Sequence, residues 1–326
     1  MTKPLVYVTR RLPQKALDMI AAECEMKVNP HDRVMSRNEL ENAVKEIDGL
    51  LCLLTDTIDE DLLELNPDLK VIANYAVGFN NIELKGCTKR GIPVSNTPGV
   101  LTDTTADFAW ALLMATARRV VEADRFTRAG KYQGWGPMMF LGGDVYGKTL
   151  GVIGMGRIGQ AFAKRALGFD MEVIYYDAKP LSEEKEEELG VKYMKFDNLL
   201  KESDFISLHV PLLPQTKHLI GEREFELMKE TAYLINTARG PIIDEKALFE
   251  ALKNNDIAGA GLDVYEEEPE LYPGLSDLDN IVLAPHIASA SIETRTKMAV
   301  MAAKNLLAGL KEESMPNILN PEVLNK

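Results

Sequence analysis

The residues of this chain best suited to move a proton and hold an anion are its four histidines, Arg239, and the three consecutive acids Glu266, Glu267 and Glu268. A guanidinium can pair with a carboxylate and polarise a carbonyl. An imidazole titrates near neutrality, and a carboxylate can orient it and favour its charged form. Together these are the groups that hydride transfer to a 2-oxo acid requires. His31 lies in the polar run NPHDR, and His218 follows a polar loop. His209 ends the apolar run DFISLHV, and His286 follows NIVLA in the segment APHIAS. In open parallel sheets ligands gather at the carboxyl ends of strands, where both His209 and His286 are expected, so position alone does not choose between them. Arg239, after AYLINTA, is expected at the same edge. The three acids precede Pro269 and read either as a solvated run or as a run from which one member turns inward to a histidine.

The strongest local pattern is TLGVIGMGRIGQAFAKRA, which holds G-x-G-x-x-G as Gly154, Gly156 and Gly159, with Arg157 and Ile158 between the second and third glycines. It follows an apolar strand and opens a helix, and Asp177 ends the next strand 18 positions after Gly159. That context is the one a dinucleotide site needs. The first glycine permits a tight turn, the second lets backbone approach a pyrophosphate, and the third lets helix and strand pack closely. Helix-start N–H groups then face the phosphates. Asp177 would accept from the adenosine ribose hydroxyls and repel a 2′-phosphate, which favours NAD over NADP. Lys179 nearby softens that discrimination.

Apolar runs that alternate with helical patterns must position these groups. Residues 5–9, 49–54, 71–75 and 92–96 read as strands, as do 149–154, 171–177, 204–210, 231–238, 257–264 and 280–286. Residues 12–22 read as a helix, 102–121 as a long buried one capped by Thr102, and 291–310 as another. The alternation predicts an α/β protein with two doubly wound parallel-sheet domains, one a Rossmann dinucleotide-binding domain and the other flavodoxin-like and discontinuous. The expected boundaries are 1–100 with 288–326 for the substrate-binding domain and 101–287 for the NAD-binding domain. The segment KYQGWGPMMFLGGDVYG (131–147) reads either as a loop over the core or as an arm covering a second subunit.

With 37 Lys and Arg against 50 Asp and Glu, the net charge is −13, which disfavours nucleic acid and anionic membranes as partners. Three dispersed cysteines without C-x-x-C spacing argue against a disulfide framework or a metal site and fit a reducing cytoplasm. No segment reads as a signal peptide, and no run approaches the roughly 20 apolar residues of a membrane span.

In order along the chain, NYAVGFNNIEL (74–84), TDTTADFAWALLMATAR (102–118), LGVIGMGRIG (150–159), HVPLLPQT (209–216), NTARGPIIDEKAL (236–248), GAGLDVYEEEP (259–269) and APHIASAS (284–291) resemble the D-isomer-specific 2-hydroxyacid dehydrogenase family. Among its branches the chain is most similar to glyoxylate and hydroxypyruvate reductases. The resemblance implies that Arg239 binds the substrate carboxylate and carbonyl, Glu268 pairs with the histidine, and His286 is the proton donor in reduction. It implies carboxylate-binding amides at Ala76, Val77 and Gly78. It also implies cofactor contacts at Thr104, Arg157, Ile158, Val210, Pro211, Thr216, Thr237, Ala238, Asp263 and His286, and a homodimer whose arm includes the Trp135 region. The Arg near Asn74 that resembles phosphoglycerate dehydrogenases is absent. Formate dehydrogenases of this fold carry Gln where Glu268 stands, and phosphite dehydrogenases carry Lys where Val77 stands. D-3-phosphoglycerate or D-lactate dehydrogenase activity is the alternative within the family. A corepressor-like sensor of NAD(H) is the alternative outside enzymes.

Overall fold

The computed structural model describes residues 3–325. The chain divides into two compact units, one built from residues up to Leu101 together with those from Ala290, the other from Thr102–Ser289.

The first unit runs β1 (Leu5–Val8), α1 (Gln14–Glu23), β2 (Glu25–Val28), α2 (Arg37–Val44), β3 (Gly49–Cys52), α3 (Glu60–Glu64), β4 (Val71–Asn74), α4 (Leu84–Arg90) and β5 (Val94–Ser95). Its five strands are parallel in the order β2-β1-β3-β4-β5, the flavodoxin-like winding. GLLC and VIAN are buried at every position because helices cover both faces of the central strands. β2, EMKV, is an edge strand without a buried residue, and the apolar-run pattern does not reveal it.

The second unit opens with α5 (Thr102–Ala117) and α6 (Val120–Arg128). It continues with β6 (Thr149–Ile153), α7 (Arg157–Ala166), β7 (Glu172–Tyr176), α8 (Glu183–Leu189), β8 (Val191–Tyr193), α9 (Phe196–Glu202) and β9 (Phe205–Leu208). It closes with α10 (Glu222–Leu227), β10 (Tyr233–Asn236), α11 (Glu245–Asn254), β11 (Gly259–Leu262) and β12 (Ile281–Leu283). The seven strands are parallel in the order β12-β11-β10-β9-β6-β7-β8, a Rossmann winding extended by one strand. The chain then returns to the first unit as α12 (Ile292–Leu310), which Ser291 caps by accepting from Thr294 N–H at 3.1 Å. α12 packs on α1, β3, β4 and β5.

The single helix expected over 102–121 is two helices. Arg119 stands in the left-handed region (φ 51°), and the Ala117 carbonyl accepts from Gly143 N–H at 3.0 Å. Thr102 is the first residue inside α5 rather than its cap. α5 is anchored by Trp110, whose indole N–H donates to the Phe162 carbonyl at 2.9 Å and whose ring stacks on Phe162 and Phe169. Residues 131–147 carry no helix or strand and leave Trp135 84% and Met138 77% exposed. Among the described residues no helix is long and apolar enough to cross a membrane.

Candidate active site

Parallel strands in one sheet deliver their following loops to one edge, and the second unit uses six of them. Asp177 follows β7, the glycine loop follows β6, and Val210 and Pro211 follow β9. Thr237, Ala238 and Arg239 follow β10, Asp263 and Glu268 follow β11, and His286 follows β12. Because β10, β11 and β12 are adjacent, residues 239, 268 and 286 come to neighbouring strand ends.

His286 Nδ1 lies 2.8 Å from Glu268 Oε2, and the other carboxylate oxygen accepts from Tyr265 N–H at 3.1 Å. The side chains are 27% and 31% exposed, so the pair is within reach of a dissolved ligand. Burial pushes the Glu268 carboxyl up, but the His286 ring, the Tyr265 amide and the charge of Arg239 outweigh it and hold the group below its ordinary value. Burial lowers the Arg239 guanidinium, against the opposing pull of Glu268. Each charge thus acts on the other. Nη1 of Arg239 donates to the Ala238 carbonyl at 2.6 Å. His286 itself adopts φ 55°, rare for a side chain with a Cβ. The loop holding it is fixed by buried Asp263, which accepts from Ile287 and Ala288 N–H, each at 2.7 Å. Burial raises the Asp263 carboxyl, and those two amides oppose the rise.

The structure gives His209 and His218 other partners. His209 packs its ring on Phe162 with centroids 4.9 Å apart and meets Ser207 Oγ at 2.9 Å. Burial pushes it down to about 3, so it is neutral at working pH. Of the three acids, Glu268 meets His286 while Glu266 meets His218. No local sequence signal distinguished them, since both contacts are long-range.

The glycine loop has the steric character of a phosphate cradle. A Cβ on Gly154 (φ 97°) would lie 2.7 Å from the His209 carbonyl carbon. One on Gly159 would lie 2.0 Å from the Gly154 oxygen, where α7 crosses β6. At Gly156 a Cβ would meet nothing within 4 Å. The turn and the crossing are therefore crowded while the middle glycine faces open space, which fits a pyrophosphate at the start of α7. Arg157 and Ile158 form the first turn of α7, the former exposed and the latter half-buried. Asp177 accepts from Met155 N–H at 2.7 Å and Lys179 N–H at 3.1 Å, which ties the acid to the glycine loop. Thr237 Oγ1 is buried without a hydrogen-bond partner among the described residues, as a group awaiting a ligand would be. The Thr216 hydroxyl donates to the Pro211 carbonyl at 2.6 Å and accepts from Leu213 N–H at 2.8 Å, which leaves one lone pair unused. Thr104 is half-buried in the first turn of α5. These residues fit a nicotinamide dinucleotide.

In the first unit, the Ala76, Val77 and Gly78 carbonyls accept from Thr97 N–H, the Asn96 amide and the Asn74 amide at 2.8, 2.7 and 2.9 Å. Val77 and Gly78 are half-buried at this turn. No group of three or more His, Cys, Asp or Glu is placed to hold a metal among the described residues.

The parallel sheet, the glycine loop and the basic and acidic groups at its edge define an oxidoreductase that works with a nicotinamide dinucleotide. A profile described as "D-isomer specific 2-hydroxyacid dehydrogenase, NAD binding domain" matches residues 110–288. A glyoxylate reductase of Korarchaeum cryptofilum is 54% identical over 99% of this chain and 97% of its own. One of Thermococcus litoralis is 54% identical over 99% and 98%. The crystal structure of a glyoxylate reductase from Paecilomyes thermophila superposes with a TM-score of 0.87 at 32% identity, covering 99% of this chain and 100% of that one. The chain belongs to the D-isomer-specific 2-hydroxyacid dehydrogenases.

Proposed function

We propose that this dehydrogenase reduces glyoxylate or hydroxypyruvate with NADH, giving the 2-hydroxy acid, of D configuration where a stereocentre forms. The observation that carries the reading is the His286–Glu268 contact of 2.8 Å on a strand end next to that of Arg239. Arg239 pairs with the substrate carboxylate and polarises the carbonyl. His286 delivers a proton to the carbonyl oxygen, and Glu268 holds the ring in place through Nδ1. Ala76, Val77 and Gly78 are the proposed carboxylate nest, and the first unit the proposed substrate-binding domain. The bound nicotinamide supplies the hydride. Asp177 beside the glycine loop favours NAD over NADP, because its carboxylate would face a 2′-phosphate. The exposed Trp135 and Met138 arm supports a homodimer, and the free buried cysteines fit a cytoplasmic setting.

The test is NADH absorbance with glyoxylate, hydroxypyruvate, pyruvate and phosphohydroxypyruvate, repeated with NADPH. Turnover highest with the first two and NADH supports the reading. Preference for pyruvate or phosphohydroxypyruvate moves the chain to another branch, and tight NADH binding without turnover makes it a sensor. Sedimentation of wild type and Trp135→Asp checks the dimer.

A further inference from the structure

A second histidine–carboxylate pair lies beside the one assigned to proton transfer. His218 Nε2 stands 2.5 Å from Glu266 Oε1, two residues before Glu268 in the same loop. The Glu266 N–H donates to Glu245 Oε1 at 2.8 Å, and Glu245 N–H approaches Glu266 Oε2 at 3.5 Å. Glu245 starts α11, directly after the segment that carries Arg239. His218 N–H donates to the Pro241 carbonyl at 2.8 Å, and Ile220 N–H to the Ile242 carbonyl at 3.1 Å. The two strand-end loops also touch backbone to backbone. A Cβ on Gly240 would fall 1.8 Å from the Tyr265 carbonyl carbon and 2.4 Å from the Glu266 nitrogen. The residue next to Arg239 therefore bears directly on the peptide unit that precedes Glu266, and the Tyr265 N–H in turn holds Glu268.

Of the three titratable side chains in this knot, His218, Glu266 and Glu245, only the last is deeply buried. Glu245 is 4% exposed, and burial raises its carboxyl, which the Glu266 charge raises further while the Glu266 amide opposes it. Two carboxylates at such close quarters repel, so a donor on the far side of Glu266 is needed to keep it turned toward Glu245. His218 is that donor. Its backbone adopts φ 50°, which brings the ring to Glu266 while the N–H stays on Pro241.

Resting on the reading of Arg239 as the substrate-binding cation, we infer that His218 and Glu266 are positioning residues that pin the Arg239 loop to the Glu268 loop and so set substrate affinity. They exchange no proton with the substrate. A loosened knot weakens the hold of Arg239 on the substrate carboxylate, a contact made in the ground state and the transition state alike, which raises KM more than it lowers kcat.

The experiment is a double-mutant cycle with His218→Ala and Glu266→Ala, together with His218→Gln. KM is expected to rise about tenfold in each alanine variant, with kcat changing less than about threefold. NADH affinity, read by fluorescence titration, is expected to stay near wild type, and the double variant to be no worse than the weaker single. His218→Gln, which keeps a donor N–H at a similar reach, restores KM. If Glu266→Ala does not fold, Glu266→Gln replaces it in the cycle. An unchanged KM in His218→Ala, additive effects in the double variant, or a KM rise accompanied by lost NADH affinity and lowered Tm without rescue by Gln each overturns the inference. Arg239→Ala separates the two levels. If it leaves KM unchanged, the reading of Arg239 fails; if it raises KM and the cycle does not, only the role of His218 and Glu266 fails.

Discussion

The Glu268 carboxylate is held at both oxygens, by His286 Nδ1 at 2.8 Å and by the Tyr265 N–H at 3.1 Å. The contact fixes the imidazole through Nδ1 and leaves Nε2 as the nitrogen able to meet a substrate. His286→Gln should therefore lower kcat by about 10²- to 10⁴-fold, the usual share of general acid catalysis, while NADH titration gives a near-normal Kd. Ordinary turnover in this variant would remove His286 from proton transfer.

Glu268→Gln separates charge from shape. In the folded protein the Glu268 carboxyl lies below its ordinary 4.5. A depressed carboxyl contributes stability that is complete above the unfolded value and is lost as pH falls through the folded one. The Tm difference between wild type and Glu268→Gln should thus be largest above about pH 4.5 and shrink under stronger acid. A difference that stays constant on acidification contradicts the assignment of charge to this contact.

The glycine loop gives two opposite outcomes from the same added methyl. Gly159→Ala places Cβ 2.0 Å from the Gly154 oxygen and should cost stability of about 1–3 kcal/mol, visible in urea unfolding. Gly156→Ala meets nothing in the protein, so Tm should hold while NADH affinity drops. Loss of NADH affinity without loss of Tm at position 156 is the signature of a surface that a ligand covers.

Asp177 is tied by Met155 N–H to the glycine loop, which fixes where its negative charge sits. Asp177→Ala should shift the ratio of kcat/KM for NADH over NADPH by at least about tenfold toward NADPH, since a repulsive charge is removed. An unchanged ratio would place cofactor selection elsewhere.

His209 offers a check on acid sensitivity that is independent of catalysis. Burial holds it near 3 in the folded chain, against 6.5 for a free imidazole. Unfolded chains then bind a proton that folded chains refuse, so stability is lost as pH falls from 6.5 toward about 3. His209→Gln should flatten the stability curve across that window in denaturant titrations. Equal slopes for both proteins would show that the ring already titrates normally.

Much of this was legible in the sequence because buried strands announce themselves as apolar runs. GLLC, VIAN and YLIN are such runs, and Arg239, Glu268 and His286 each follow a strand that the pattern reveals. The strands that escaped notice, EMKV and VKY, are sheet edges that lack the continuous burial of the interior. The break at Arg119 carries neither glycine nor proline. Its cause is a carbonyl diverted to Gly143, a contact no local pattern encodes. Choosing Glu268 over Glu266, and His286 over His209, likewise required pairings that span 18 to 48 residues. The resemblance to relatives supplied that choice; residue types and spacing did not.

The return of α12 to the first sheet has a bearing on synthesis. Residues 102–289 are one uninterrupted stretch and can condense as soon as they leave the ribosome. The earlier sheet must wait, with the faces of β3 and β4 uncovered, until Leu306 reaches Gly49 and Asn320 reaches Val94. The nascent chain therefore carries an unfinished amino-terminal third past a completed middle, and chaperones have most to shield there.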